Sequence, residues 1–379
     1  MLPLLPHIES LQVWPFDFMK NVSPENLEKG FSVLKPEVIR VAPYTLQHFE
    51  AAIKINQNEN PFDMPASIKE AVARKMAQKS WSRYPAFFPE ELAQCLAVFS
   101  GWTSEGILIG NGSNELIQAT LLVTVEKGKR VVIPQPTFTL YKLMTTILGG
   151  DCEEVFLRQD LQFDVPKLQQ AARQADVTVL CTPNNPTGTA FGLDELRAIA
   201  EAARGLVLVD EAYHEFGRTT AVPLLRDYEN LVVLRTFSKA MAMAGLRVGY
   251  LLGHPKIVKE IAKAKLPYNL NVFSMVAAQE AAEQFHLLKP QIDLLIKERE
   301  RVLQELNQIP AIKAYPSQAN FIAFETERSP HALFEALYAE GILVRDISRY
   351  PMLSKFLRVS VGTPAENDAF LKSLRRNLA

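Results

Sequence analysis

The chain has 379 residues, 48% of them hydrophobic and 22% charged, with a formal net charge of −1. That is the composition of a globular protein long enough for two domains, or for one large domain with a smaller appendage. The charge balance argues against the basic face of a nucleic-acid binder, and three widely spaced cysteines, Cys95, Cys152 and Cys181, exclude a disulfide framework or a zinc spacing and predict a reducing compartment.

Residues 1–40 are rich in Pro, Phe and Trp without periodicity and read as an N-terminal arm. The opening stretch has no basic lead and no small-residue cleavage site, and nowhere do eighteen apolar residues follow one another. No signal peptide and no membrane span are therefore expected, and a cytoplasmic protein is. A short apolar piece ahead of Pro43-Tyr44 reads as strand-like, and residues 53–61 as a strand breaking into a polar turn. Residues 66–79 have helical spacing behind Pro65, and Arg83-Tyr84-Pro85 is extended because a residue before Pro avoids the helix.

Strands and helices then alternate: strands at 107–109, 130–134, 177–181, 206–209 and 231–234, and helices at 113–125, 137–148 and 193–203. The strands are near-continuous apolar runs, the pattern of a parallel sheet covered on both faces, so residues 65–270 are predicted to form a large doubly wound α/β domain. Helices at 275–285, 291–307 and 331–340, strands at 320–325, 342–345 and 356–361, and a terminal helix from Pro364 predict a smaller α+β domain from residues 271–379, joined by residues 41–64.

Chemistry concentrates at the strand ends. The strand at 231–234 empties into Thr236, Phe237, Ser238 and Lys239, with Arg247 eight residues further on. A lysine desolvated beside a second cation loses its proton readily and becomes a nucleophile for carbonyls. Gly110-Asn-Gly-Ser-Asn-Glu115 sits between a strand and a helix, where free N–H groups suit a phosphate, although Glu115 in place of a third glycine counts against a dinucleotide. Asn185 lies in the Pro- and Gly-bounded loop 183–188, and Asp210 ends a buried strand with Tyr213 three residues on. An Asp-Glu strand end also suits a nucleotide-bound magnesium, but no G-x-x-x-x-G-K-[ST] run accompanies it. The six histidines are scattered, with no pair at ligand spacing, so no metal site is expected. A phosphate cradle, an amide, a carboxylate with a tyrosine and a lysine followed by an arginine are the groups that pyridoxal phosphate needs.

In the order and spacing of these motifs the sequence resembles the class I/II, fold-type I aminotransferases over residues 40–379, and within them the histidinol-phosphate enzymes. The resemblance implies a PLP-dependent transferase fold and gives the site residues their roles. Lys239 becomes the Schiff-base lysine and proton carrier, and Asp210 the partner of the pyridinium. Tyr213 and Asn185 bond the ring oxygen. Gly112, Ser113, Asn114 (where many members carry Asp), Ser238 and Arg247 hold the phosphate, and Phe138 stacks on the ring. Tyr84 matches a tyrosine that reaches the phosphate from the other subunit, which implies a homodimer with shared sites. Arg358 matches the arginine that grips an α-carboxylate, a planar anion suited to a guanidinium. Arg345 and Tyr44 match positions that hold a substrate phosphate. The implied reaction moves an amino group from histidinol phosphate to 2-oxoglutarate; relatives that act on aromatic amino acids or decarboxylate phosphothreonine share parts of the pattern.

Overall fold

The structure, a computed structural model, describes residues 29–42, 49–217 and 219–378. Residues 1–43 and 44–379 form separate units. In the first, the piece expected as a strand ahead of Pro43 is instead a short helix, α1 (Pro36–Arg40). Pro36 starts it, where a missing N–H costs nothing and the fixed φ is already helical.

In the second unit, strand β1 (Ile53–Lys54) comes first, followed by helices α2 (Ala66–Ala77) and α3 (Glu90–Ser100). The seven-stranded sheet is built from β2 (Ile107–Gly110), β3 (Arg130–Gln135), β4 (Asp151–Phe156), β5 (Val177–Cys181), β6 (Leu206–Asp210), β7 (Leu231–Thr236) and β8 (Gly249–Gly253), in the order β2-β8-β7-β6-β5-β3-β4. The run from β7 to β4 is parallel, and β8 is antiparallel to both its neighbours. Between them lie α4 (Ser113–Thr124), α5 (Leu140–Ile147), α6 (Val165–Ala172) and α7 (Leu193–Ala202), and α8 (Pro255–Ala262) and α9 (Val272–Glu283) follow.

The continuous apolar strands are explained by burial on both faces. Val207, Val209, Val233 and Leu180 point into a core shared with α2, α3, α6, α7 and α9; their neighbours Leu208, Val232, Leu234 and Val179 point into another shared with α4, α5 and α8. Helix α9, which follows residue 270, thus packs its Val276, Ala277 and Ala281 on the large sheet.

The remaining chain forms α10 (Lys289–Asn307), β9 (Ile312–Ala314), β10 (Phe321–Thr326), α11 (Pro330–Ala339), β11 (Ile342–Leu343), β12 (Arg345–Asp346), β13 (Phe356–Ser360) and α12 (Pro364–Leu378). The stretch expected as one strand at 342–345 changes sheets: β11 pairs with β1, whereas β12 joins the four-stranded order β12-β13-β10-β9. Leu357 and Val359 of β13 face a separate core with α10, α11 and α12, so the two-residue period turns Arg358 and Ser360 to the other face.

Candidate active site

The C-terminal ends of the parallel strands converge on a cavity of about 270 Å³, where open α/β sheets place ligands. Ser113 and Asn114 reach it from the start of α4, Phe138 from the loop after β3, Asn185 from the loop after β5, Asp210 and Tyr213 from the end of β6, and Ser238, Lys239 and Arg247 from beyond β7. Arg345 and Arg358 come in from the four-stranded sheet.

Asp210 is 2% exposed. Its Oδ2 accepts from the Tyr141 hydroxyl at 2.7 Å and its Oδ1 from the Ala212 N–H at 3.0 Å. Burial raises its pKa to about 6, against the opposing pull of these two donors. Lys239 Nζ donates to the Gln57 carbonyl at 3.0 Å and lies 5.8 Å from the centre of the Tyr213 ring. Burial first, then the nearby Arg358 guanidinium, pull its pKa down to about 8, so the amine is far easier to deprotonate than an ordinary lysine. The Tyr213 hydroxyl accepts from Asn58 Nδ2 at 3.1 Å, and burial raises its pKa, so the phenol stays protonated.

On the anion side, Arg247 donates to Ser238 Oγ at 3.0 Å, and Ser238 Oγ also accepts from Thr236 Oγ1 at 3.0 Å. Arg247 takes φ +53, a left-handed conformation that costs a non-glycine residue about 1–2 kcal/mol and persists where surrounding contacts impose it. Gly112 has φ +77, and a Cβ there would lie 2.5 Å from Arg247 Nη2. The glycine is needed for both reasons, and it lets the guanidinium close on the first N–H groups of α4, which carry the helix's positive end. On the opposite wall, Arg358 donates to Asn185 Oδ1 and, at 2.7 Å, to the Asn56 carbonyl, with its guanidinium 5.1 Å from the Phe321 ring. These bonds join β13 to the loop after β5 and to the segment after β1.

Of the residues predicted from sequence, Ser113, Asn114, Phe138, Asn185, Asp210, Tyr213, Ser238, Lys239, Arg247, Arg345 and Arg358 line this cavity, and Gly112 stands behind Arg247. Tyr84 does not: it is 81% exposed and stacks on Tyr268 at 4.5 Å. Tyr44 lies outside the described residues. Tyr141, Asn56, Gln57 and Tyr350 line the cavity unannounced by the sequence reading. Only Tyr141 carried a signal, standing three residues beyond Phe138 on a predicted helix. Glu211 turns away to a buried pair with Arg235, Oε2 to Nε 3.1 Å, so Asp210 and Glu211 do not form a metal-binding diacid. Among the described residues no cluster of His, Cys, Asp or Glu suits a metal, and no helix is long and apolar enough to cross a membrane.

A lysine, an acid and an anion cradle at the strand ends of this α/β fold define a class of enzyme, and the chain belongs to the aminotransferase class I and II family, whose model matches residues 50–374. It is accordingly a pyridoxal-phosphate-dependent transaminase. Among its relatives is the histidinol-phosphate aminotransferase of Prosthecochloris aestuarii, 38% identical over 348 residues that cover 91% of this chain and 97% of that one. Histidinol-phosphate aminotransferase 2 of Nitrosococcus oceani is 40% identical over 349 residues, 90% and 96% of the two chains. The crystal structure of the histidinol-phosphate aminotransferase of Sinorhizobium meliloti in complex with pyridoxal-5'-phosphate matches with a TM-score of 0.83 at 26% identity, covering 92% of this chain and 98% of that one.

Proposed function

We propose that the enzyme transfers the amino group of histidinol phosphate to 2-oxoglutarate, giving imidazole acetol phosphate and glutamate, a step of histidine biosynthesis. The observation that carries the substrate class is the pairing of Arg345 with Arg358, directly opposite one another on β12 and β13 at the cavity wall. Like charges opposed across a sheet repel, and an anion between them offsets the cost. Two guanidinia suit the phosphate of one substrate and a carboxylate of the other, so one wall serves both halves of the reaction. The names of the relatives point the same way.

The residues present fit pyridoxal phosphate on three counts: a buried acid whose charge is opposed by burial, a lysine with its pKa lowered to about 8, and a glycine whose missing side chain makes room for Arg247. Lys239 would hold the aldehyde, Asp210 the ring nitrogen, Asn185 and Tyr213 the ring oxygen, and Phe138 a ring face. Gly112, Ser113, Asn114, Ser238 and Arg247 would hold the phosphate. Bound there, the cofactor supplies a cationic ring that takes up the electron pair left when a proton leaves the substrate's α-carbon. Freed when the substrate's amino group takes its place, Lys239 Nζ, with its lowered pKa, would take up that proton and later give it up. Arg358, fixed by Asn185 and the Asn56 carbonyl, orients the substrate, and Tyr213 stays a donor throughout.

We assign residues 65–270 to the large cofactor-binding domain, with helix α9 (Val272–Glu283) packed on its sheet, and residues 41–64 with the rest of 271–379 to the small domain, with residues 1–40 as an arm. We also assign the enzyme to the cytoplasm and to a homodimer in which Tyr84 reaches the partner's site. Support for the dimer comes from exposed aromatic side chains, Trp81 82%, Tyr84 81% and Phe88 57% accessible, with Tyr84 stacked on Tyr268, a grouping of bare apolar rings that suits a partner's surface.

The test is formation of glutamate from histidinol phosphate that depends on 2-oxoglutarate. Release of carbon dioxide without an oxo acid would mean a decarboxylase instead. Arg345→Ala should raise KM for histidinol phosphate at least about tenfold while changing KM for a plain aromatic amino acid little, a difference worth roughly 1.4 kcal/mol or more. Equal effects on the two substrates would remove Arg345 from the phosphate site and favour an aromatic aminotransferase.

A further inference from the structure

Tyr141 lies at the floor of the cavity, away from Arg345 and Arg358, and ties Phe138 and Asp210 together there. It sits on α5 with 1% of its surface exposed, and its ring meets that of Phe138 edge-on at 5.6 Å. Its hydroxyl donates a hydrogen bond to Asp210 Oδ2 at 2.7 Å, while the Ala212 N–H donates to Oδ1 at 3.0 Å. We propose that Tyr141 is a positioning residue for Asp210: its hydroxyl keeps the buried carboxylate ionised and oriented toward a cationic ring nitrogen, and it links that carboxylate to the aromatic ring of Phe138. The proposal rests on the cofactor site assigned above.

The surroundings of Asp210 leave this task to few groups. Cys181 on β5, its register partner, is buried with its thiol pushed up to about 12, so it stays neutral. Glu211, the next residue in the chain, raises the Asp210 pKa but is engaged by Arg235. Tyr213 stays a neutral phenol and gives Asp210 no hydrogen bond among those described, and Lys239 donates to Gln57 instead. Tyr141 is therefore the side chain that both reaches the carboxylate and donates to it. Burial and the neighbouring Asp210 raise its own pKa well above the ordinary phenol value, so the donor persists over the whole working range. If the residue served packing alone, phenylalanine would do as well.

The experiment titrates full-length protein, freed of cofactor, with pyridoxal 5'-phosphate and follows affinity against pH. In the unmodified protein affinity falls on the acid side, where Asp210 takes up a proton. Tyr141→Phe removes one charge-assisted hydrogen bond, and the fall should move to higher pH by about 1–2 units. An unmoved profile overturns the proposal while leaving the cofactor site standing; an unmodified protein that binds no pyridoxal phosphate overturns the site itself. Tyr141→His keeps a ring donor and should hold the fall at the unmodified pH or below it, a result readable even if the phenylalanine variant does not fold. A histidine variant whose fall stays at higher pH also overturns the proposal. In an Asp210→Asn background Tyr141→Phe should leave the profile in place, and a further shift there means Tyr141 does not act through Asp210.

Discussion

Two side chains at the site are held in states that folding alone would not favour. Lys239 is drawn down to about 8 and Asp210 up to about 6, both chiefly by burial, so the protein buries groups whose charged forms it solvates poorly. Lys239→Ala should abolish the visible absorbance of bound cofactor together with turnover; catalysis surviving in that variant would remove the lysine from its role. Asp210 makes a prediction about stability. Its folded pKa of about 6 lies above the ordinary value of 3.8, so its cost is absent below pH 3.8, grows between 3.8 and 6, and is complete above pH 6. Asp210→Asn should therefore stabilise the cofactor-free protein at pH 7 by an amount on the order of 2–3 kcal/mol and change it little at pH 4, while cofactor affinity weakens measurably and loses its acid-side fall. Denaturant unfolding at the two pH values checks this. Equal effects at both would mean the carboxylate is not strained by its burial.

At the scale of elements, the ends of β6 and β7 must stay in register for Asp210 and Lys239 to face one another. Main-chain pairing does part of this, with the Glu211 N–H donating to Leu234 O at 2.8 Å. The Glu211–Arg235 pair does more: Glu211 is 0% and Arg235 5% exposed, and Thr220 Oγ1 accepts from Arg235 at 2.8 Å and donates to Glu211 at 2.9 Å. Removing one member of a buried pair strands the other charge. Glu211→Ala should thus cost about 3–5 kcal/mol of stability, whereas replacing both by apolar residues of similar volume should cost much less. Equal losses for the single and double variants in denaturant unfolding would show that the pair carries no mutual compensation.

For the whole molecule, the proposed pairing of subunits rests on the exposed aromatic side chains. Tyr84 stacks on Tyr268, Phe87 meets Tyr268 edge-on at 5.8 Å, and Trp81 and Leu266, close to them in the chain, are exposed. Trp81→Ser with Tyr84→Ser should raise the dissociation constant of the dimer at least about tenfold, seen as a concentration-dependent fall in mass, and should weaken cofactor binding in the same samples. A protein that is monomeric at all concentrations, with an intact cofactor site, would rule out the shared site.

What the sequence determined by itself was the chemistry and the fold class. Lys239, Asp210, Asn185 and the 110–115 loop each follow an apolar strand, and in a doubly wound sheet strand ends are where ligands lie, so local pattern and function coincide. Strands such as Leu206–Asp210 were legible because burial on both faces makes them wholly apolar. β4, with Asp151, Glu153 and Glu154, and β8, bounded by glycines, carried no such pattern and were decided by the neighbours they pair with. Only the tertiary structure brought Tyr141 under Asp210, 69 residues away in sequence, and set Arg345 opposite Arg358. Such contacts join residues whose local spacing holds no information about one another, and packing two sheets and their helices around one cavity supplies it.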